Sequence, residues 1–242
     1  MTGRAVAAQT RAELLLLLRR GENLVVTLLI PLGVLVFFAK VDAVAVEGRP
    51  VEFLVPGVLA LAVMATAMVS LAIATGYERR YGVLKRLGST PLGRPGLIGA
   101  KTATVLVVEV VQATVIIAVA VGLGWRVSAG LVPAAGLLLL GTVAFAGIGL
   151  LMAGTLRAEA TLGLANGLFL VLLFLGGMAY PVDRLPGALE SLATLLPAAA
   201  LSASLRAALD PATAWSVQAV LVLAAWAVGA PLAAARRFRW EE

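Results

Sequence analysis

Glu109 and Gln112 stand three residues apart inside a long apolar run, on one face of any helix that run forms. A charged carboxylate at mid-membrane costs roughly 2.5–3.5 kcal/mol on insertion scales, so this one must face protein or water, or carry a proton. The polar stripe has two readings: a contact for a polar or cationic group on a transported molecule, or a hydrogen-bonded tie between helices. Asn166 is a further isolated polar group, placed between Gly163 and Gly167. That small-x-x-x-small pair lets helices approach closely, so its face reads as plain packing or as a dimer seam or pathway lining.

Residues 78–91 carry chemistry of another kind. Glu78, Arg79, Arg80, Lys85 and Arg86 crowd four cations and one acid into nine residues between two apolar runs. Such a cluster belongs in water beside a membrane. Tyr81, Leu84 and Leu87 recur at helical spacing around Gly82, which predicts a short helix with an apolar stripe. The stretch reads as a docking surface for a soluble partner, its charges guiding approach and its apolar anchors holding the complex. The plainer reading is a solvated basic loop that only sets topology.

Other chemistry is missing from the sequence. It has no Cys and no His, which excludes disulfides, thiolate or histidine metal sites and serine–histidine triads. No Gly-x-x-x-x-Gly-Lys-Ser/Thr loop is present to cradle nucleotide phosphates, and no carboxylate pair is spaced for acid–base work. The expectation is a chain that binds no cofactor or metal and is not itself an enzyme. Any energy it uses comes from elsewhere.

The elements that position these groups follow from composition. Of 242 residues, 61% are hydrophobic and 13% charged, about half the charged share of a soluble domain. Six apolar runs approach the roughly 20 residues a crossing needs, at 24–41, 53–76, 102–125, 131–156, 162–180 and 214–235. An all-α membrane protein with six transmembrane helices in a single transmembrane domain, residues 1–242, is expected. Pro31 should kink the first run and Pro231 bend or fray the last. A cleaved leader ending near Ala43-Val44-Ala45 is the weaker reading of the first run, because a long polar lead precedes it. Residues 1–22 place Arg4, Arg11, Arg19 and Arg20 around a Leu14–Leu18 run and read as an interfacial helix. Residues 181–211 are apolar but broken by Pro181, Pro186, Pro197 and Pro211, which predicts short external helices dipping back into the bilayer. Trp125, Tyr180, Trp215 and Trp240 fall near span ends, as interfacial anchors do, and Arg236, Arg237 and Arg239 read as stop-transfer charges.

The net charge of +6 is spread over the ends of apolar runs, which points to anionic lipid or an acidic protein surface rather than nucleic acid. With the N-terminus cytoplasmic, fourteen Lys and Arg fall on the inner side. Only Lys40, Arg49, Arg126, Arg184 and Arg206 fall outside. The positive-inside rule then puts both termini and the charged stretch in the cytoplasm.

These residues resemble a family. Glu78-Arg79, Gly82, Leu84, Leu87 and Thr90-Pro91-Leu92, set between the second and third spans, resemble the cytoplasmic coupling helix of ABC transporter permeases of the type-2 exporter class. Gly177, Tyr180-Pro181, Leu185-Pro186, Leu196-Pro197 and Leu205-Arg206 are similar to that family's segment before the last span. The compact form looks most like bacterial drug-resistance permeases of the daunorubicin-exporter kind. Relatives often carry an acid or amide where Lys85 and Arg86 stand here. The resemblance implies a coupling helix at 78–92 and a dimer of permease subunits, identical or related. It also implies a separate ATPase that holds ATP and magnesium, and export of a drug, lipid-like metabolite or porphyrin-like cofactor from a bacterial cell. A proton-coupled secondary carrier using Glu109 is the alternative, and a non-transporting membrane assembly protein a third.

Overall fold

The computed structural model describes residues 3–19, 21–40, 50–88, 93–126, 130–178 and 182–240, and these are helical with no strand among them. The chain opens with α1 (Gly3–Arg19) and α2 (Gly21–Lys40). A continuous helical stretch, Pro50–Arg80, follows. It is made of α3 (Pro50–Val63), a π-helical segment (Met64–Ser70) and α4 (Leu71–Arg80). The short α5 (Val83–Gly88) leads to α6 (Gly93–Gly122), α7 (Leu131–Thr155) and α8 (Ala158–Leu175). A single 3-10 turn (Val182–Arg184) precedes α9 (Gly187–Ala193), α10 (Pro197–Leu209) and α11 (Val217–Arg237).

Among the described residues, five helices are long and apolar enough to cross a membrane, and six if the bent pair α9–α10 counts as one crossing. α2 covers 20 residues and carries the first apolar run. Pro31 and Pro231 both stand inside helices that continue past them. α9 and α10 meet at 80°, with Pro197 opening α10, and α10 is buried along nearly its whole length. Tyr180 and Pro181 lie outside the described residues.

α7 is the central post. It packs against α11, α4, the π-helical segment and α10. Its glycines make this possible. A Cβ added to Gly149 would lie 2.7 Å from the Met68 carbonyl oxygen, and one added to Gly147 would lie 2.5 Å from the Pro231 nitrogen. Close backbone approach through small residues is how helices associate where solvent supplies no hydrophobic drive.

The two ends of the bundle differ. At one end Ala5 and Val6 of α1, Leu84 of α5, Leu97 of α6 and Phe238 beyond α11 gather in one apolar cluster. Both terminal segments and the charged stretch therefore share a side. At the other end the turn before α7 abuts α10, where a Cβ at Gly130 would overlap the Ala208 carbonyl. Trp125 is buried in the core there. Trp240 likewise packs against Phe238, with ring centroids 5.8 Å apart.

Candidate functional site

The charged stretch is not one helix. α4 ends at Arg80, and the Gly82 amide donates to the Arg79 carbonyl at 3.0 Å. Gly82 sits at φ +71°, the left-handed conformation with which helices commonly close and which glycine adopts without a Cβ penalty. α5 then starts afresh over Val83–Gly88, and residues 89–92, with the Thr90-Pro91-Leu92 motif, lie outside the described residues. A six-residue helix holds its direction through tertiary contacts rather than through its own hydrogen bonds.

The three residues that end α4 each reach a different element. Glu78 accepts from Lys101 Nζ at 2.7 Å. Lys101, 1% exposed near the start of α6, also stands 3.1 Å from Glu13 of α1, whose Oε1 accepts from Gln9 at 3.0 Å. Arg79 is buried and donates to the carbonyl of Leu156, the residue that caps the end of α7. Arg80 pairs at the surface with Glu159 in the first turn of α8. Glu78, Arg79 and Arg80 thus form a collar that fastens α4 to α1, α6, α7 and α8.

α5 divides its residues between two faces. Leu84 is fully buried in the cluster with Leu97 and Phe238, and Leu87 and Trp240 pack on its margin. The opposite face shows Val83 at 43% exposure and the exposed Lys85 and Arg86, and Tyr81, just before α5, is 71% exposed. Tyr81 stacks on Tyr77 at 6.2 Å between centroids, which supports the ring from behind. Of the apolar stripe read from spacing, then, Tyr81 faces outward while Leu84 holds α5 against the rest of the chain. The outward face is basic, aromatic and apolar together.

Within the bundle, the Glu109–Gln112 stripe faces inward. Thr142 of α7 hydrogen-bonds Glu109 Oε2, and Thr66 of the π-helical segment donates to Gln112 Oε1 at 3.0 Å. The two side chains therefore tie α6 to two neighbouring helices, in keeping with the interhelical reading. Glu109 Oε1 and Gln112 Nε2 are buried with no hydrogen-bond partner among the described residues. Asn166 does not join this seam. It lies exposed on α8, and its amide donates to the Leu162 carbonyl of its own helix at 2.8 Å. Gly163 and Gly167 share that open face, with nothing within 4 Å of an added Cβ.

Sequence reasoning missed Lys101 and Glu13 as a joined pair, the two threonine partners, and the π-helical segment. Lys101 was visible only as one topogenic cation among many. A faint signal existed in Glu13, the single acid in a helix of cations. Thr66 and Thr142 were visible as hydroxyls inside apolar runs, but such groups often bond only their own helix.

No curated protein matches this chain. The sequence pattern of one family, described as ABC-2 type transporter, matches residues 4–209, from the start of α1 to the end of α10. A helical bundle crossing the membrane five to six times, joined by a short charged helix at one end, is the architecture over which that match extends. The chain belongs to the ABC-2 type transporter family, as its membrane domain.

Proposed function

We propose that this chain is the permease subunit of an ATP-driven exporter in the bacterial cytoplasmic membrane, and that a separate ATPase grips the outward face of α5. The single observation that carries this is the two-faced character of α5 and the turn before it: Leu84 rooted in the chain, and Tyr81, Val83, Lys85 and Arg86 turned outward. Family membership supplies the general partner, an ABC ATPase. ATP and magnesium are held there and the ATP is hydrolysed there, while this chain supplies the path. The positive-inside bias supports an inner-side location for the end that carries α1, α5 and the C-terminal segment.

The cargo proposed is hydrophobic or amphiphilic: a drug, a lipid-like metabolite or a porphyrin-like cofactor. The apolar spans and the inward, mutually engaged polar groups favour such a molecule over ions or free sugars. Drug efflux of the daunorubicin-exporter kind is the version nearest the sequence resemblance. A second permease subunit, identical or related, completes the pathway. The open Gly163–Asn166–Gly167 face of α8 is one surface that would accept it. α1, with Arg4, Arg11, Leu15 and Leu16 exposed, is suited to lie against anionic headgroups.

The test is association. Charges at the edge of an interface chiefly set encounter rates and salt dependence. Lys85→Glu with Arg86→Glu should weaken binding of the ATPase by about tenfold or more and flatten its dependence on salt. The melting temperature of the permease alone separates lost docking from lost folding. Unchanged binding by a correctly folded double variant refutes the docking role.

A further inference from the structure

We propose that Lys101, held between the carboxylates of Glu78 and Glu13, is the joint through which motion of α4 and α5 is passed to the N-terminal helix α1 and to α6. The inference rests on the docking reading above and adds to it a route for the force. Lys101 is a positioning residue here, not a contact for cargo or nucleotide.

The geometry is specific. One ammonium spans two carboxylates, at 2.7 Å to Glu78 and 3.1 Å to Glu13, from a side chain with almost no exposed surface. A buried cation that loses either partner is left partly uncompensated, which is strongly unfavourable. The three elements that carry residues 13, 78 and 101 are therefore held to move as one body. α1 is fixed at a second point as well, where Ala5 and Val6 pack on the cluster around Leu84. Thr10 adds a contact to the Ala100 carbonyl at 3.4 Å.

Position along the span matters as much. Glu78 lies between two irregularities of the backbone, the left-handed Gly82 and the π-helical segment Met64–Ser70. A displacement that enters α4 from α5 meets the Lys101 joint before it reaches the π-helical segment. It leaves α4 sideways, into α6 and into a surface helix that carries exposed Arg4, Arg11, Leu15 and Leu16. The surface helix is thus a driven part of the transport cycle rather than a passive float.

Hydrogen exchange on the full complex in nanodiscs, free and trapped with magnesium-ATP and vanadate, tests this without need of a cargo. In the wild type, trapping should change exchange in α5 and in the part of α1 around Glu13, by about fivefold or more; in Glu13→Gln, α5 should still respond while the change around residue 13 falls below about twofold. Glu78→Gln should silence both that part of α1 and the start of α6. Each variant leaves Lys101 one carboxylate and an amide oxygen that can still accept from it, and the melting temperature of the permease alone separates a lost joint from a lost fold. If trapping leaves α5 unchanged in the wild type, the docking reading fails. If α5 responds and the part of α1 around Glu13 does not, or if that part still responds in Glu13→Gln, the docking reading stands and the joint is refuted.

Discussion

Arg79 of α4 donates its guanidinium to the carbonyl of Leu156, the capping residue at the end of α7. Carbonyls at a helix end have no partner within the helix, and a cation there also meets the favourable end of the helix dipole. The contact therefore does two things at once. It closes the α7–α8 corner, and it locks the last turn of the span that leads into α5. It also explains why Arg79 is buried although it stands in the charged stretch: it sets the base from which α5 projects.

Arg79→Met should accordingly destabilise the permease by about 1.5–3 kcal/mol, the worth of a hydrogen bond made by a charged donor, here at a part-buried site. The measurement is thermal or denaturant unfolding of the purified permease with no ATPase present. A variant as stable as the wild type, yet unable to bind the ATPase, would assign Arg79 to the interface instead.

Leu84→Glu places a carboxylate in the closed cluster beside Leu97 and Phe238. Even truncation of such a leucine to alanine costs about 2–5 kcal/mol where the surroundings cannot collapse. The expected outcome is a detached α5 with the membrane helices intact. ATP hydrolysis by the assembled complex would then no longer respond to cargo or drive its movement. Phe238→Ala should do the same more mildly, because it opens the cluster from the other side. Normal coupling in both variants would show that α5 does not need this anchorage.

Glu109→Gln keeps the shape of the side chain and its capacity to bond Thr142. ATP-driven transport should persist in this variant, assayed in vesicles that contain the permease and its ATPase. Loss of transport that instead follows a proton gradient and needs no ATPase would identify a proton-coupled carrier.

Much of the architecture was legible in the sequence, for a plain reason. Bilayer thickness imposes a length on every crossing, so runs such as 131–156 declare themselves by composition. The charged stretch at 78–86 was equally visible, because nothing so polar can lie in hydrocarbon. Less visible was which way each of its members points. Glu78 finds Lys101 from 23 positions away and Lys101 finds Glu13 across α2, the whole of Pro50–Arg80 and α5, and pairings of that reach leave no local trace. Helical spacing grouped Tyr81 with Leu84 as one stripe, but Gly82 restarts the helix between them and changes their relative direction. The π-helical segment was hidden for another reason. In Met64–Ser70 and its neighbours nearly every residue is small or apolar, so periodicity has no polar marker against which to register.

The span from Pro50 to Arg80 is an α-helical thread, a wider π-helical coil and a second α-helical thread, end to end. The wide coil aims Thr66 at Gln112; the lower thread aims Glu78 at Lys101. One residue added to or removed from the stretch between Ser70 and Glu78 would turn the lower thread by about 100° and swing the collar away from its partners, while the Thr66 contact above stayed in place. The aim of the inner end is therefore decided by how many residues separate it from the wider coil, a dial that evolution can turn without touching the oily upper half.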